Sequence, residues 1–174
     1  MLKEAYATLI CAVLASICDA TVTFETYNVS RFMNTTSPIW TYISTDPHVY
    51  YKCKVDTVEE ITETYVYFNR TYEDTKSAQV TEQLEGTFEK GNSSVMRVGD
   101  RGLVREYVED LLFSSSDYRC GVFAVKYPGT TEWYDLRFKG TNGTGRPQDT
   151  CLEYFGSKKG VRHFIYGAEC KTPK

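Results

Sequence analysis

Polar and apolar positions alternate along much of the chain, and this alternation predicts β-strands. Between residues 80 and 88 the apolar Val80, Leu84 and Phe88 fall on one face together with Glu82, while the opposite face is polar. Side chains point alternately to the two faces of a strand, so this period is typical of a strand with one buried face. Thr and Val recur throughout, with 14 Tyr and 9 Phe, and these residue types favour a pleated sheet.

Turn residues divide the chain into eight such segments, and one helix follows them. A helix is predicted over residues 149–159, where Asp149 or Thr150 can cap the first turn. Pro147 precedes this segment and Gly160 follows it, as expected at the two ends of a helix. We predict strands near residues 38–45, 50–58, 61–72, 78–90, 93–98, 103–113, 117–127 and 131–139, and a short last strand near 161–169.

This order of elements predicts an all-β fold, an eight-stranded antiparallel up-and-down barrel with a C-terminal helix and a short final strand. A two-sheet β-sandwich is compatible with the same number of strands, but regular hairpin spacing and a single late helix favour the barrel. No repeat or linker interrupts the pattern, so residues 21–174 are predicted to form one domain. A barrel of this size can hold one small ligand.

Residues 1–20 are predicted to be a signal peptide. Lys3 supplies a weak positive start beside Glu4, residues 5–18 are uncharged, and the stretch that ends at Ala20 resembles a cleavage site. The uncharged run is shorter than the ~20 residues that a spanning helix needs. No later segment is long and apolar enough to span, so we expect a secreted, extracellular protein without a membrane span.

Potential glycosylation sites and cysteines agree with secretion. Four cysteines remain after the leader, and they allow three disulfide pairings in an oxidising compartment. The cysteines are Cys53, Cys120, Cys151 and Cys170, and the Asn-x-Ser/Thr acceptors are Asn28, Asn34, Asn69, Asn92 and Asn142.

Charge and candidate chemistry exclude several kinds of function. The net charge is −3 and no clustered basic face is visible, so we expect neither a nucleic-acid partner nor an anionic membrane surface as partner. His48 and His163 lack metal-ligand spacing, and no catalytic triad or phosphate-binding loop is present in the sequence. We therefore expect a monomeric binding protein without cofactor or metal, and not an enzyme.

Cysteine order and spacing, together with the first-strand Trp40 and the late helix and strand, resemble the tick salivary lipocalins, the family that includes the histamine-binding proteins. The resemblance covers nearly all of the mature chain. It implies a ligand-binding barrel with two disulfides, Cys53–Cys170 and Cys120–Cys151.

The chain departs from the motif that amine-binding members of that family share, which is Cys-Asp-aliphatic, then Glu-Leu-Trp/Tyr, then Cys. Gly121 stands in place of the Asp, Asp135 in place of the Glu, and Arg137 in place of the aromatic residue. A buried ammonium group needs a carboxylate partner, and an inward-facing Arg137 would repel a dication. These departures favour a lipophilic ligand over histamine.

Strand faces indicate which side chains line the barrel. If Asn69 is glycosylated it points outward, so Phe68 points inward. Glu82 lies either in water at the open mouth or against a ligand, and Asp135 and Arg137 form either a local pair at the rim or a polar anchor in the pocket. The residues predicted to contact the ligand are Trp40, Phe68, Glu82, Leu84, Phe88, Trp133, Asp135 and Arg137.

These features leave two classes of function open. The first is capture of a small host-derived molecule, a lipid, sterol or amine, that helps to evade or modulate host inflammatory defence. We favour a lipophilic ligand, with a histamine or serotonin scavenger as the alternative. The second is a protein-binding immunomodulator that acts on a host immune protein or cell through its outer surface, as the resemblance to complement inhibitors and dendritic-cell modulators of the tick family implies.

Overall fold

The computed structural model describes residues 26–104, 106–141 and 145–172. The predicted signal peptide and the acceptor Asn142 lie outside these residues. The strands are β1 Ile39–Ser44, β2 Tyr51–Ile61, β3 Tyr65–Asp74, β4 Gln79–Phe88, β5 Val95–Asp100, β6 Tyr107–Ser114, β7 Cys120–Lys126, β8 Trp133–Lys139 and β9 His163–Phe164. The helices are α1 Val29–Met33 and α2 Asp149–Gly156.

Strands β1 to β8 form a closed antiparallel barrel. Neighbouring strands pair in chain order from β2 to β8, β8 pairs with β1, and β1 returns to β2 through Ile39 opposite Asp56 and Trp40 opposite Val55. Strand β9 pairs with β1 outside the ring. The predicted barrel is therefore confirmed over the sandwich, with its late helix and short final strand.

Helix α1 was not predicted. Asn28 begins it, because its side-chain oxygen accepts a hydrogen bond from the backbone N–H of Arg31 at 2.9 Å. Val29, Phe32 and Met33 are buried, and the Phe32 ring meets Phe123 edge-on at 5.1 Å. This helix closes the end of the barrel opposite the mouth, and we call that end the closed end.

Two hydrophobic clusters support the fold. The inner core fills the closed end of the barrel, and the outer core lies between the outer face of the sheet, α2 and the C-terminal segment. The inner core includes Phe32, Ile39, Val66, Phe68, Leu84, Met96, Leu111 and Phe123. The outer core includes Trp40, Val55, Val122, Leu136, Phe138, Phe155 and Tyr166.

Both disulfides join elements around the outer core. Cys53 of β2 is bonded to Cys170, and Cys120 of β7 is bonded to Cys151 of α2, the pairing that the resemblance implies. The helix ends at Gly156, three residues earlier than predicted, and Gln148 precedes it without a side-chain cap. None of the described helices has the length and apolar character required to span a membrane.

Candidate ligand-binding site at the mouth of the barrel

A cavity of about 490 Å³ opens at the mouth of the barrel, a volume within the usual range for small-molecule sites. Strands β3 and β7 end here, while β2, β4, β6 and β8 begin here. The lining residues are Asp46, Pro47, His48, Tyr50, Tyr51, Lys54, Arg70, Tyr72, Glu82, Tyr107, Val125, Tyr127, Gly129, Thr130, Thr131 and Trp133.

Aromatic rings form two walls of the cavity. Tyr107 and Tyr127 stack at 4.2 Å with 19° between their planes, and Trp133 continues the stack at 5.6 Å and 12°. Tyr51 and Tyr72, at 5.7 Å from each other, stand on β2 and β3 across the barrel. A flat ligand can therefore lie between two aromatic surfaces.

These tyrosines stay neutral at physiological pH. Burial is the main cause that raises the pKa of Tyr107 well above its usual value, although Arg70 opposes the shift. Burial also raises the pKa of Tyr127 and of Tyr72 to about 12. The neutral Tyr127 hydroxyl can donate a hydrogen bond at the cavity wall, whereas the Tyr72 hydroxyl already donates to Glu82.

Six buried ionised side chains lie beneath the cavity, and we call them the charge network: Lys54, Arg70, Arg137, Asp56, Glu109 and Asp135. Arg70 grips Asp56 through Nε and Nη2, each at 2.8 Å, and its Nη2 also lies 3.0 Å from Glu109. Arg137 lies 2.5 and 2.9 Å from Glu109, 3.1 Å from Asp135 and 3.7 Å from Asp56, and Lys54 lies 2.9 Å from Asp135.

Mutual pairing keeps the network charged. Burial alone would raise the pKa of Glu109, but Arg137 and Arg70 outweigh burial and lower it to about 2. Burial likewise opposes ionisation of Asp135, yet Lys54 and Arg137 lower its pKa below the usual range. Burial would lower the pKa of Lys54, but Asp135 raises it. Three cations and three carboxylates therefore balance to a net charge of zero.

The cavity is lined by positively charged members of the charge network but by none of its carboxylates. Lys54 and Arg70 line the floor, whereas the carboxylates of Asp56, Glu109 and Asp135 are not among the lining groups. The polar floor thus offers N–H donors to whatever occupies the mouth. Beneath it lies Phe68 of the inner core, whose ring centre is 5.4 Å from the guanidinium carbon of Arg70.

Two further carboxylates stand at the cavity wall. Asp46 accepts hydrogen bonds from the backbone N–H of His48 at 2.8 Å and the hydroxyl of Tyr51 at 3.4 Å. Glu82 accepts from the hydroxyl of Tyr72 at 3.1 Å. Within the described ranges, neither carboxylate has a basic side chain within 4.0 Å. Asp46 and Glu82 therefore add negative charge to the cavity wall above a charge network whose net charge is zero.

The structure brings only some of the predicted ligand residues together. Glu82 and Trp133 line the cavity. Asp135 and Arg137 do pair, but the pair is fully buried behind the floor and not at the rim, because both side chains point into a closed barrel.

Four predicted ligand residues lie away from the cavity. Trp40 packs in the outer core, with its ring 5.0 Å from Tyr166 and its Nε1 donating to the Gly140 carbonyl at 3.1 Å, because inward-facing Ile39 and Thr41 place Trp40 on the outer face. The remaining three, Phe68, Leu84 and Phe88, belong to or pack against the inner core, below the charge network.

Gly121 occupies a position where a side chain would not fit. A Cβ there would lie 2.8 Å from Leu111 Cδ1 and 3.0 Å from Phe32 Cε2. The space that a motif carboxylate would need is therefore filled by inner-core side chains, those of Leu111 and Phe32.

Four of the six members of the charge network were not predicted from the sequence: Lys54, Asp56, Arg70 and Glu109. A usable signal was present, because Arg70 lies two residues beyond Phe68 on the same inward face, and Lys54 and Asp56 share one face of β2.

The described acceptor asparagines lie at the surface or partly buried. Asn34 and Asn92 are exposed, and Asn28 caps α1. Asn69 points away from the barrel interior, as predicted for a glycosylated residue, and its Nδ2 donates to Glu59 at 2.7 Å. A glycan on Asn69 would require that this bond be released.

No protein-family model matches the chain, and none of the curated proteins matches it either. Solved structures do. Japanin from Rhipicephalus appendiculatus, bound to cholesterol, is 12% identical with a TM-score of 0.56, over 75% of this chain and 92% of that one. Apocrustacyanin C1 is 9% identical with a TM-score of 0.57, over 80% and 79% of the two chains.

The cockroach allergen Per a 4 is 10% identical with a TM-score of 0.51, over 79% of this chain and 87% of that one. At these identities the likeness concerns the fold. The chain has the lipocalin fold, a closed eight-stranded antiparallel barrel with one short helix after it and a ninth strand bonded outside the ring.

Proposed function

We propose that the protein binds a small lipophilic ligand with a flat ring system in the cavity at the mouth of its barrel. The observation that carries this proposal is the continuous stack of Tyr107, Tyr127 and Trp133 facing Tyr51 and Tyr72 across the cavity. Burial of apolar ligand surface between these walls contributes roughly 25 cal/mol per Å² before the costs of binding.

The polar end of such a ligand would face the floor. Lys54 and Arg70 supply charged donors there, so a hydroxyl or carboxylate oxygen is the complementary group. Trp133 Nε1 is buried and has no hydrogen-bond partner among the described residues, so it can donate to a second acceptor on the ligand. A sterol or an oxygenated fatty acid has this combination of apolar body and acceptor groups.

We further propose that residues 1–20 are removed as a signal peptide and that residues 21–174 act outside the cell as a monomeric binding protein and not as an enzyme. The two disulfides and the exposed acceptors Asn34 and Asn92 support an extracellular location. With the resemblance to tick salivary lipocalins, they favour capture of a host mediator that otherwise promotes inflammation. The neighbouring fold of Japanin, bound to cholesterol, supports a lipophilic ligand.

A monovalent organic amine is the second candidate, and a specific observation favours it. Asp46 and Glu82 add two negative charges around a network whose own net charge is zero. Aromatic faces beside a carboxylate attract ammonium groups, an effect of about 0.5–2 kcal/mol. Lys54 and Arg70 on the floor oppose a second positive charge, so this candidate is a serotonin-like molecule more than a dicationic histamine.

Calorimetric titration of the secreted protein with cholesterol, a leukotriene, serotonin and histamine tests the proposal. We expect submicromolar binding of the sterol or the leukotriene, weak or no histamine binding, and no loss of affinity in Glu82→Gln. Serotonin binding that Glu82→Gln weakens at least tenfold would instead establish the amine function.

A further inference from the structure

A basic segment with exposed apolar side chains lies between α2 and the C-terminus. Residues 158–164, here called the basic segment, contain Lys158, Lys159, Arg162 and His163 and no acidic residue. Val161 is 73% exposed and Phe164 is 72% exposed. Large apolar side chains on a monomer surface carry no functional meaning singly, but here two of them share one short segment with several cations.

Helix termination explains only part of this composition. Lys158 Nζ lies over the Tyr154 ring at 4.3 Å, and Arg162 Nη2 donates to the Gly156 carbonyl at 2.9 Å. Both cations therefore stabilise the C-terminal end of α2. Capping does not account for the exposed Lys159 or for the exposure of Val161 and Phe164.

The basic segment lies at the same end of the barrel as the cavity. His163 pairs with Ser44 and Phe164 pairs with Ile43, at the end of β1 that reaches the mouth. The connection that follows β1 supplies Asp46, Pro47, His48 and Tyr50 to the cavity lining, and Tyr50 is 58% exposed. An exposed apolar and basic surface therefore adjoins the entrance.

We propose that the basic segment docks the mouth of the barrel on an anionic lipid surface. Lys159 and Arg162 face lipid headgroups, while Val161 and Phe164 enter the boundary of the acyl chains. A sulfated polysaccharide would match the cations but would leave Val161 and Phe164 in water, so a membrane fits the whole segment better. This proposal departs from the sequence-based expectation that no anionic membrane surface is a partner, because the exposure of Val161 and Phe164 beside these cations is visible only in the fold.

Docking would give a lipophilic ligand a short path between membrane and cavity. Only this consequence rests on the proposed function, since docking itself needs no ligand. It predicts that the protein binds membranes through one face, with the mouth toward the lipid.

Sedimentation with phosphatidylcholine vesicles, with and without phosphatidylserine, tests the proposal without added ligand. We expect binding to the anionic vesicles that high salt abolishes. Lys159→Gln with Arg162→Gln should weaken it roughly 30-fold, from the usual contribution of each cation near a charged bilayer. Val161→Ser with Phe164→Ser should weaken it at least about tenfold.

A matched control is available at the other end of the molecule. Lys90 is exposed in the turn between β4 and β5, at the closed end of the barrel. Lys90→Gln should bind vesicles like the wild type, and these two proteins are the controls. Thermal unfolding of each variant would show that the fold is intact.

The proposal is overturned if wild-type protein shows no preference for anionic vesicles, or if both basic-segment variants bind as tightly as the controls. Retention on immobilised heparin without vesicle binding would assign the segment to a polysaccharide. Ligand affinity measured in solution is independent of each result, so failure of docking and failure of ligand capture are distinguishable.

Discussion

Glu109 is the residue on which the charge network depends most. Its two carboxylate oxygens contact Arg137 and Arg70 in the interior of the barrel, where the side chain has no solvent exposure. A buried charge that loses its counter-ion is far more costly than the pair is stabilising. Glu109 therefore positions Arg70 at the cavity floor, and its negative charge offsets the cost of burying the guanidinium groups of Arg70 and Arg137.

Glu109→Gln should lower the free energy of unfolding by about 3–5 kcal/mol, because it leaves two buried cations with one carboxylate fewer. Denaturant unfolding at neutral pH measures this. Glu106→Gln, at an exposed position three residues earlier, is the control and should change stability by less than about 0.5 kcal/mol. Equal effects of the two substitutions would contradict the role given to Glu109.

The lowered pKa of Glu109 makes the stability of the folded protein depend on pH. Its pKa is about 2 in the folded protein against 4.5 for the free group, so the unfolded chain binds the proton more readily between these values. The stabilisation, of the order of 3 kcal/mol, is complete above pH 4.5 and is lost as the pH falls toward 2. Urea unfolding at a series of pH values should show this loss, and it should be smaller in Glu109→Gln.

A matched pair of glycines tests the packing at the closed end. Gly121→Ala should destabilise the protein by about 1–3 kcal/mol, because its Cβ would meet Leu111 at 2.8 Å and Phe32 at 3.0 Å inside a packed core. Gly156→Ala at the end of α2 meets nothing within 4 Å and should be neutral or slightly stabilising. Comparable melting temperatures of the two variants would refute the account of Gly121.

At the scale of elements, the C-terminal segment is held against the barrel by its disulfide and by strand pairing. The backbone N–H of Ile165 donates a hydrogen bond to the Tyr42 carbonyl at 3.0 Å, and the backbone N–H of Cys53 donates one to the Ile165 carbonyl at 2.7 Å. Cys170 is disulfide-bonded to Cys53. These contacts cover Trp40, which stacks near Tyr166. The outer core consequently depends on a segment that has little regular structure of its own.

Cys53→Ser with Cys170→Ser should lower the free energy of unfolding by about 2–5 kcal/mol, because the bond closes a loop of 117 residues. Release of the segment should also make Trp40 fluorescence more accessible to a neutral quencher. The wild-type protein, with Trp40 fully buried, serves as the reference. Unchanged stability and quenching would mean that the hydrogen bonds alone hold the segment.

The strands could be predicted from sequence more completely than the helices could. Alternation locates β4 or β8 without knowledge of its neighbours, whereas β7 is apolar and buried at nearly every position and is bounded instead by turn residues such as Pro128 and Gly129. Helix α1 spans only Val29–Met33, too short for a helical period to be visible, and its Asn28 cap also belongs to an acceptor motif for glycans. The predicted helix end at 159 was wrong because the backbone N–H groups of Ser157 and Lys158 bond to the carbonyls three residues back, of Tyr154 and Phe155, which tightens the last turn and ends the α-helix at Gly156.

At the scale of the whole molecule, the site is a product of barrel closure. Lys54 and Asp56 come from β2, Arg70 from β3, Glu109 from β6 and Asp135 and Arg137 from β8. Glu109 meets Arg70 and Arg137, and Lys54 meets Asp135, across strands that are not neighbours in the sheet, so these pairs form only when the ring closes. A strand pattern tells which side chains point inward but not which of them meet across the interior. This is why Asp135 and Arg137 could be selected from the sequence, while their partners and their depth could not.

Closure of the barrel also explains why the residues predicted to contact the ligand lie at two different levels of its interior. Inward-facing Phe68, Leu84 and Phe88 lie toward the closed end, and inward-facing Glu82 lies toward the mouth. The charge network separates these two levels. The three apolar residues therefore stabilise the inner core and do not contact the cavity. The tyrosines that line the cavity could not be identified individually from the sequence, which showed only that Tyr is abundant.

The central claim, that the aromatic-walled cavity at the mouth is the ligand site, is tested most directly by calorimetric titration of cholesterol into Tyr127→Ala and its matched control Tyr65→Ala. Tyr127 is the middle ring of the cavity stack, whereas Tyr65 points outward and bonds to Glu60. We predict at least a tenfold loss of affinity, about 1.4 kcal/mol, for Tyr127→Ala and wild-type affinity for Tyr65→Ala. Absence of sterol binding to the wild type, or equal binding by both variants, would contradict the account.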